Sequence, residues 1–144
     1  MPEIIMSFDP GRTTGLAVYE EDPTPNYTLM ELKGLHTVWK ALFTGGPTQI
    51  VYESFLYQRR TKVDLTPVEV IGIIKLYAET YEVPIVSQTP ATGKRFWTDS
   101  KIKKVGLWQS GAPHAMDALR HMLYYQAFNL MDKSKLEALK DDTL

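Results

Sequence analysis

Residues 4–18 have the sequence IIMSFDPGRTTGLAV, and this stretch says most about the fold class of the chain. It opens with a nearly continuous apolar run that ends in one acid, Asp9, which is typical of a central strand covered on both faces. Asp9-Pro10-Gly11 then predicts a turn. The apolar segment at 15–20 predicts a second strand. Together the two segments predict a hairpin whose first strand ends in a carboxylate.

The rest of the chain alternates between strand-like and helix-like segments. Further strands are predicted at 27–33, 49–53 and 84–88. Helices are predicted at 35–43, 66–81, 98–108 and 114–130. This order predicts one α/β domain over residues 1–130, with a mixed five-stranded sheet flanked by helices. A polar C-terminal tail is expected at 131–144, as a loose helix or a frayed end.

Length and composition exclude several classes of protein. The chain has 144 residues and no cysteine, so disulfide scaffolds, thiolate metal sites and thiol nucleophiles are excluded. No apolar run approaches the roughly 20 residues of a membrane span, so no membrane partner is expected. No charged leader precedes an apolar stretch at the N-terminus. These observations predict a soluble cytoplasmic protein.

The net charge of −1 hides an uneven distribution. Residues 1–58 carry 3 basic and 7 acidic side chains, whereas residues 59–104 carry 9 basic and 5 acidic ones. Residues 105–144 carry 4 basic and 5 acidic side chains. The middle of the chain is therefore either a basic surface for phosphates beside a carboxylate site, or a chance fluctuation over short windows.

Four side chains stand out as candidates for chemistry. Asp9 and Glu53 each end a buried strand, and His114 and Asp117 lie three residues apart at the start of the last long helix. Acids at neighbouring strand ends are costly unless they are paired or hold a cation. Oxygen-rich sites of this kind prefer Mg²⁺ or Mn²⁺. His121 follows on the same helix face and is expected to pack or to form a hydrogen bond rather than to act directly.

Each candidate also has a purely structural explanation. Asp9 could simply begin a turn, Glu53 could be solvated, and Asp117 could be favoured by the helix dipole. The three acids occur, however, in an α/β order that can bring them to one point. Their combination favours a cation site over three separate structural roles.

Three segments resemble the RuvC-type Holliday junction resolvases, which have a ribonuclease H-like fold. Residues 4–18 resemble the family's first two strands, with its Asp-Pro-Gly signature and a glycine opening the second strand. VYESF at 51–55 resembles its second acidic strand end, and HAMDA at 114–118 resembles its C-terminal helix motif. The order and spacing match over about residues 3–128 and suggest a compact, viral-type member.

The resemblance implies a metal-dependent, structure-selective DNA endonuclease. Such an enzyme would resolve Holliday junctions or other branched DNA by paired nicks. Asp9, Glu53, Asp117 and His114 would be its catalytic residues and would hold two Mg²⁺ ions, with Mn²⁺ able to substitute. His114 would be either a ligand or a proton-handling group.

Basic residues interleaved with aromatic ones predict a surface that grips phosphates and stacks on an unpaired base. The candidate DNA-binding residues are Phe55, Tyr57, Arg59, Arg60, Lys62, Lys94, Arg95, Lys101, Lys103 and Lys104. By resemblance, Lys101 and Lys103 are the best candidates for contact with the scissile strand. The alternative for residues 94–104 is an ordinary solvated amphipathic helix.

The predicted helix at 66–81 is apolar around so much of its circumference that two of its sides should be buried. One side can meet the sheet, and the other predicts a homodimer, which would place two active sites about a two-fold axis.

Departures from the bacterial resolvases leave other functions open. The chain is shorter, its overall charge is not basic, and residues 89–98 match them poorly. An RNA-processing nuclease of the same superfamily and a non-catalytic nucleic-acid binding module are therefore alternatives. The Asp9–Gly15 stretch also resembles the phosphate loop of actin-like ATPases, but those proteins need a second lobe and a much longer chain.

Overall fold

The computed structural model describes residues 2–56 and 63–140. Five strands form one sheet: β1 (Ile4–Asp9), β2 (Thr13–Glu20), β3 (Asn26–Lys33), β4 (Gln49–Glu53) and β5 (Ile85–Gln88). Their spatial order is β3-β2-β1-β4-β5. The first three strands are antiparallel, and β4 and β5 run parallel to β1. The predicted mixed five-stranded α/β sheet is confirmed.

Six α-helices are described: α1 (Leu35–Gly45), α2 (Thr66–Tyr81), α3 (Pro90–Phe96), α4 (Asp99–Lys104), α5 (Pro113–Tyr124) and α6 (Lys133–Lys140). A π-helical turn, Tyr125–Asn129, continues α5. Within residues 2–56 and 63–140, no helix is long and apolar enough to cross a membrane. In the tail segment, α6 folds back on the domain, where Lys101 Nζ donates to the carbonyl oxygen of Leu139 at 3.2 Å.

The predicted basic helix over 98–108 begins where expected but ends early, because α4 spans only Asp99–Lys104. A further short helix, α3, precedes it and was not predicted. Thr98 separates them because it is extended and its hydroxyl accepts a hydrogen bond from the Lys101 amide at 3.4 Å, which starts a new helix. Gly106, at φ +78°, ends α4 early.

The two faces of the sheet are covered by different helices. Met6, Phe8 and Ile50 pack with α1 and α2, while Ile5 and Val51 pack with α5. Side chains alternate between faces along a strand. The same alternation that turns Ile5 and Val51 toward α5 therefore turns the last residues of β1 and β4 toward α5 as well.

Gly15 allows α5 to approach the sheet closely. It pairs with Asp9 across the β1–β2 hairpin. A Cβ atom at this position would lie 1.8 Å from the His114 carbonyl oxygen, so any larger residue would collide with the start of α5. The glycine thus fixes the N-terminus of α5 directly beside the end of β1.

Candidate active site

Three carboxylates meet at the carboxyl edge of the sheet. Phe8 pairs with Tyr52 in the parallel β1–β4 ladder, which places Asp9 and Glu53 side by side. The Glu53 side chain lies close enough to Asp9 to raise the pKa of Asp9. Asp117 reaches the same point from α5, close enough to influence the titration of Asp9. The predicted convergence of these acids is therefore present in the fold.

The environment of Asp9 strongly disfavours a bare negative charge. Its burial, followed by the charge and hydrogen bond of Glu53 and then the charge of Asp117, raises the pKa of Asp9 to about 8. Lys94 acts in the opposite direction but is the weakest of these influences. The negative charges of the cluster are thus not balanced by the positive charges around them. Binding of a proton or a cation relieves their repulsion.

Glu53 is held by a buried histidine. Burial alone would raise the pKa of Glu53, but the hydrogen bond and charge of His121 bring it below its usual value. His121 Nε2 lies 3.0 Å from Glu53 Oε1, and His121 Nδ1 lies 2.6 Å from Gln88 Oε1. The Gln88 amide also donates to the His121 carbonyl oxygen at 3.1 Å. His121 forms hydrogen bonds, as expected, and it orients Glu53.

Asp117 has a partner that sequence reasoning missed, the buried Arg120. Arg120 Nη1 donates to Asp117 Oδ1 at 2.8 Å, and Arg120 Nε donates to the Trp97 carbonyl oxygen at 2.9 Å. Its second Nη group also bonds the Asp99 carboxylate. The spacing of three residues between Asp117 and Arg120 on a helix was the available signal. Arg120 therefore links α5 to the α3–α4 segment.

Lys94 lies at the carboxylates. Its Nζ is 4.0 Å from Asp117 Oδ2, and it lowers the pKa of both Asp9 and Glu53. Gly93 allows this approach, since a Cβ there would lie 2.9 Å from the Arg120 Cβ. The sequence predicted Lys94 as a DNA contact, and its position puts a positive charge beside the carboxylates.

His114 lies at the rim of the cluster. Its Nδ1 is 3.8 Å from Asp9 Oδ2, and nearly half of its side chain is exposed. The start of α5 is held by Glu31, a β3 residue that sequence reasoning missed. Glu31 Oε2 accepts hydrogen bonds from the backbone amides of His114 at 2.7 Å and Ala115 at 3.0 Å. A carboxylate at a helix N-terminus also complements the helix dipole.

The other predicted DNA-binding residues are more dispersed. Lys101 is bonded to the Leu139 carbonyl, and Lys103 Nζ lies 4.8 Å from the ring centroid of Trp108. Arg95 lies over the ring of Phe96 at 5.6 Å, and Phe55 packs against the apolar core. Lys104 is exposed at the end of α4. Tyr57, Arg59, Arg60 and Lys62 lie outside the described residues.

The carboxylate oxygens of the cluster suit a hard cation, but those of Glu53 and Asp117 already bond other side chains. Within the described part of the chain, no three His, Asp or Glu side chains are close enough to hold a metal ion. Glu53 faces His121, and Asp117 faces Arg120. Asp9 and Glu53 nevertheless supply carboxylate oxygens, which are the ligands that Mg²⁺ and Mn²⁺ prefer.

Known proteins resemble this chain in structure but not in sequence. No protein-family model matches the sequence, and no curated protein is significantly similar to it. Solved structures do match. RuvC of Thermus thermophilus, in complex with a Holliday junction substrate, has a TM-score of 0.69 and 17% identity, covering 90% of this chain and 96% of that one.

Two further resolvases are similar in structure. The fowlpox virus Holliday junction resolvase has a TM-score of 0.60 and 13% identity, covering 85% of this chain and 97% of its own. The yeast mitochondrial Holliday junction resolvase has a TM-score of 0.51 and 11% identity, covering 96% of this chain and 80% of its own. The resemblance identified in the sequence is confirmed at the level of the fold: the chain has the ribonuclease H-like fold of the RuvC-type resolvases.

Proposed function

We propose that this protein is a divalent-metal-dependent, structure-selective DNA endonuclease that resolves four-way junctions as a homodimer. The observation that carries the proposal is the meeting of Asp9, Glu53 and Asp117 at one sheet edge, with the pKa of Asp9 raised to about 8. Such a cluster is unfavourable in a protein that has no cation to place there.

Asp9, Glu53 and Asp117, with His114 at the rim, are the residues that would hold two Mg²⁺ or Mn²⁺ ions. When bound, such ions would supply activation of a water and stabilisation of the leaving 3′ oxygen. Glu53 and Asp117 would exchange part of their contact with His121 and Arg120 for contact with the ions. These partners orient both carboxylates beforehand.

Other side chains of the site have roles toward the phosphate. Lys94 would offer its ammonium group to a non-bridging oxygen of the scissile phosphate, since it is exposed and lies 4.0 Å from Asp117. His114 is half exposed with Nδ1 facing Asp9, so it is placed to hold or pass a proton at the rim.

Branched DNA is the proposed substrate. The matched structures of Thermus thermophilus RuvC and of the fowlpox virus resolvase both contain Holliday junction DNA. In this chain, α3 and α4 carry further basic residues after Lys94, and Lys103 and Lys104 among them are exposed. These side chains would bind phosphates of the DNA backbone.

A second copy of the chain is the proposed partner of α2. Val68, Gly72 and Leu76 recur every four residues on the exposed side of α2, and Val68 and Leu76 are 44% and 57% exposed. The space around Gly72 is open, so another helix could approach closely.

The test is a cleavage assay on a panel of labelled substrates with and without Mg²⁺. The panel contains a four-way junction, a flap, a linear duplex and a structured RNA. The proposal expects metal-dependent, paired cutting of the junction and little cutting of the duplex. Cutting confined to the RNA would favour an RNA-processing nuclease, and metal-independent binding without any cutting would favour a non-catalytic binding module.

A further inference from the structure

Strand β3 forms one edge of the sheet, and one of its two sides has no neighbouring strand. It has eight residues, whereas β5 at the opposite edge has four. In an antiparallel pair such as β2–β3, every second residue directs its backbone N–H and C=O groups away from the partner. Among the described residues, the backbone of β3 bonds only that of β2, except that the Lys33 carbonyl oxygen also accepts from the Thr37 hydroxyl. β3 therefore offers backbone donors and acceptors to a further strand.

An apolar groove runs along this edge, between the sheet and α1. It has a volume of about 400 Å³, within the range of recognition pockets, about 300–1,000 Å³. Met6, Val18, Met30 and Leu32 line it from the sheet, and Met30 is 39% exposed. Thr28, Met30 and Leu32 are alternate residues of β3. A strand added beside β3 would likewise direct every second side chain to the groove side.

The two ends of this edge differ in charge. Glu20, which lines the groove, and the exposed Glu21 lie at the start of β3. Lys33 is exposed at the end of β3, and Lys40 lines the groove from α1. Within residues 2–56 and 63–140, neither Glu20 nor Lys40 forms an ion pair. An antiparallel strand that begins with acidic residues and ends with basic ones would meet the opposite charge at both ends.

We propose that the β3 edge and this groove bind an extended segment of a partner protein, which adds to the sheet as an antiparallel sixth strand. The backbone of the segment supplies the hydrogen bonds, and large apolar residues at every second position fill the groove. A second copy of the chain fits less well, since β3 itself directs the polar Asn26 and Thr28 to the groove side. The groove lies on the opposite face from α5, so the bound segment would leave the carboxylate cluster accessible.

The experiment selects binders to the immobilised full chain from a phage-displayed library of random peptides as long as β3. Enriched peptides should alternate apolar and polar residues, with acids near the first position and bases near the last. A synthetic peptide of enriched sequence should slow hydrogen exchange at alternate amides of β3, because those amides gain acceptors. Methylation of alternate peptide amides should abolish binding in one of the two possible sets, the one that faces β3, and should be tolerated in the other.

Substitutions locate the bound peptide. Met30→Asp puts a charge into the groove and should weaken binding at least about tenfold, as for loss of an interface anchor, while Met30→Leu should retain it. Lys40→Glu should weaken binding of peptides that begin with acids and favour peptides that begin with bases. Ser87→Asp, on the exposed part of the other edge strand, is the control and should leave binding unchanged. Met30 and Lys40 are both exposed, so neither variant has to disturb the core.

Several results would overturn the proposal. They are failure to enrich any peptide, enriched peptides without alternation, β3 exchange unchanged by a bound peptide, or binding unchanged by both Met30→Asp and Lys40→Glu. Exchange at β3 that slows with rising protein concentration, without peptide, would show that a second copy occupies the edge and would overturn it too. The inference does not depend on the proposed nuclease function, because none of these measurements involves DNA.

Discussion

The α5 face of the sheet adds buried polar hydrogen bonds to its apolar core, whereas the α1/α2 face is held chiefly by apolar packing. On the α5 face, buried polar groups bond across long stretches of sequence: Ser7 Oγ donates to the Ala118 carbonyl oxygen at 2.8 Å, and His121 bonds Gln88. On the α1/α2 face, the core is built from apolar side chains such as Phe8, Leu42 and Ile74. Hydrogen bonds fix direction, whereas apolar contact mainly requires volume and shape.

This difference matches the roles proposed for the two faces, with the candidate active site on the α5 face and the dimer contact on the α1/α2 face. The α5 face has to hold Asp117 and His114 at fixed positions relative to Asp9 and Glu53. The α1/α2 face has no such requirement, and it leaves Val68 and Leu76 exposed for a partner. Substitutions on the first face should therefore damage catalysis at fixed assembly, and substitutions on the second should damage assembly.

The largest effect is expected from Gly15→Ala. Because its Cβ would lie 1.8 Å from the His114 carbonyl oxygen, α5 would have to move away from the sheet. We expect a loss of at least about 3 kcal/mol in the free energy of unfolding, at the upper end of overpacking costs, together with loss of cutting. Chemical denaturation measures the first. Gly72→Ala, where the added Cβ meets open space within the chain, is the matched control and should not destabilise the fold when unfolding is measured on the dissociated monomer at low concentration.

The next effect concerns the α1/α2 face. Leu76→Asp places a charge on the exposed apolar stripe of α2, where Leu76 is 57% exposed, and should weaken dimer association by about thirtyfold, as for a hot-spot residue. Light scattering coupled to size-exclusion chromatography would show a monomer. Leu130→Asp, at a residue 43% exposed beyond the α5 end, should leave the dimer intact. A wild-type protein that is monomeric at micromolar concentration would contradict this prediction.

A smaller effect should follow loss of the His121 side chain. His121→Ala removes the group that orients Glu53, so the cutting rate should fall about 10- to 100-fold, as for other groups that orient ligands. His121→Gln, which retains a donor, should recover part of the rate. Comparing rates well below the melting temperature separates this effect from instability. Equal rates for His121→Ala and wild type would show that Glu53 needs no such support.

The smallest effect is expected at the start of α5. Glu31→Ala removes the acceptor of the His114 and Ala115 amides and should cost about 1 kcal/mol, as for the loss of a helix cap. Thermal unfolding should detect a decrease of a few degrees. The exposed Glu137 is the control, and its replacement by alanine should leave the melting temperature unchanged. A similar decrease in both variants would show that Glu31 does not act as a cap.

Much of the site was predictable because its acids end strands or begin a helix, and those signals are local. Asp9, Glu53 and Asp117 could be placed together from element order alone. Gln88 and Glu31 could not, since they act through contacts such as the one between Glu31 and His114, 83 residues apart. Arg120 did carry a local signal, its spacing of three residues from Asp117 on one helix. The missed helix α3 is different: Thr89-Pro90 carries the same local start signal as Thr66-Pro67 and could have been recognised.

The most direct test of the central claim is the rate at which wild type and Asp9→Asn cut a labelled four-way junction in Mg²⁺ and in a chelator. We expect cutting by wild type only in Mg²⁺. We also expect a decrease of at least about a hundredfold for Asp9→Asn, because metal-ion charge stabilisation is worth several kcal/mol. Asp132→Asn, in the turn before α6, should cut like wild type. Full cutting by Asp9→Asn, or by wild type in chelator, would contradict the account.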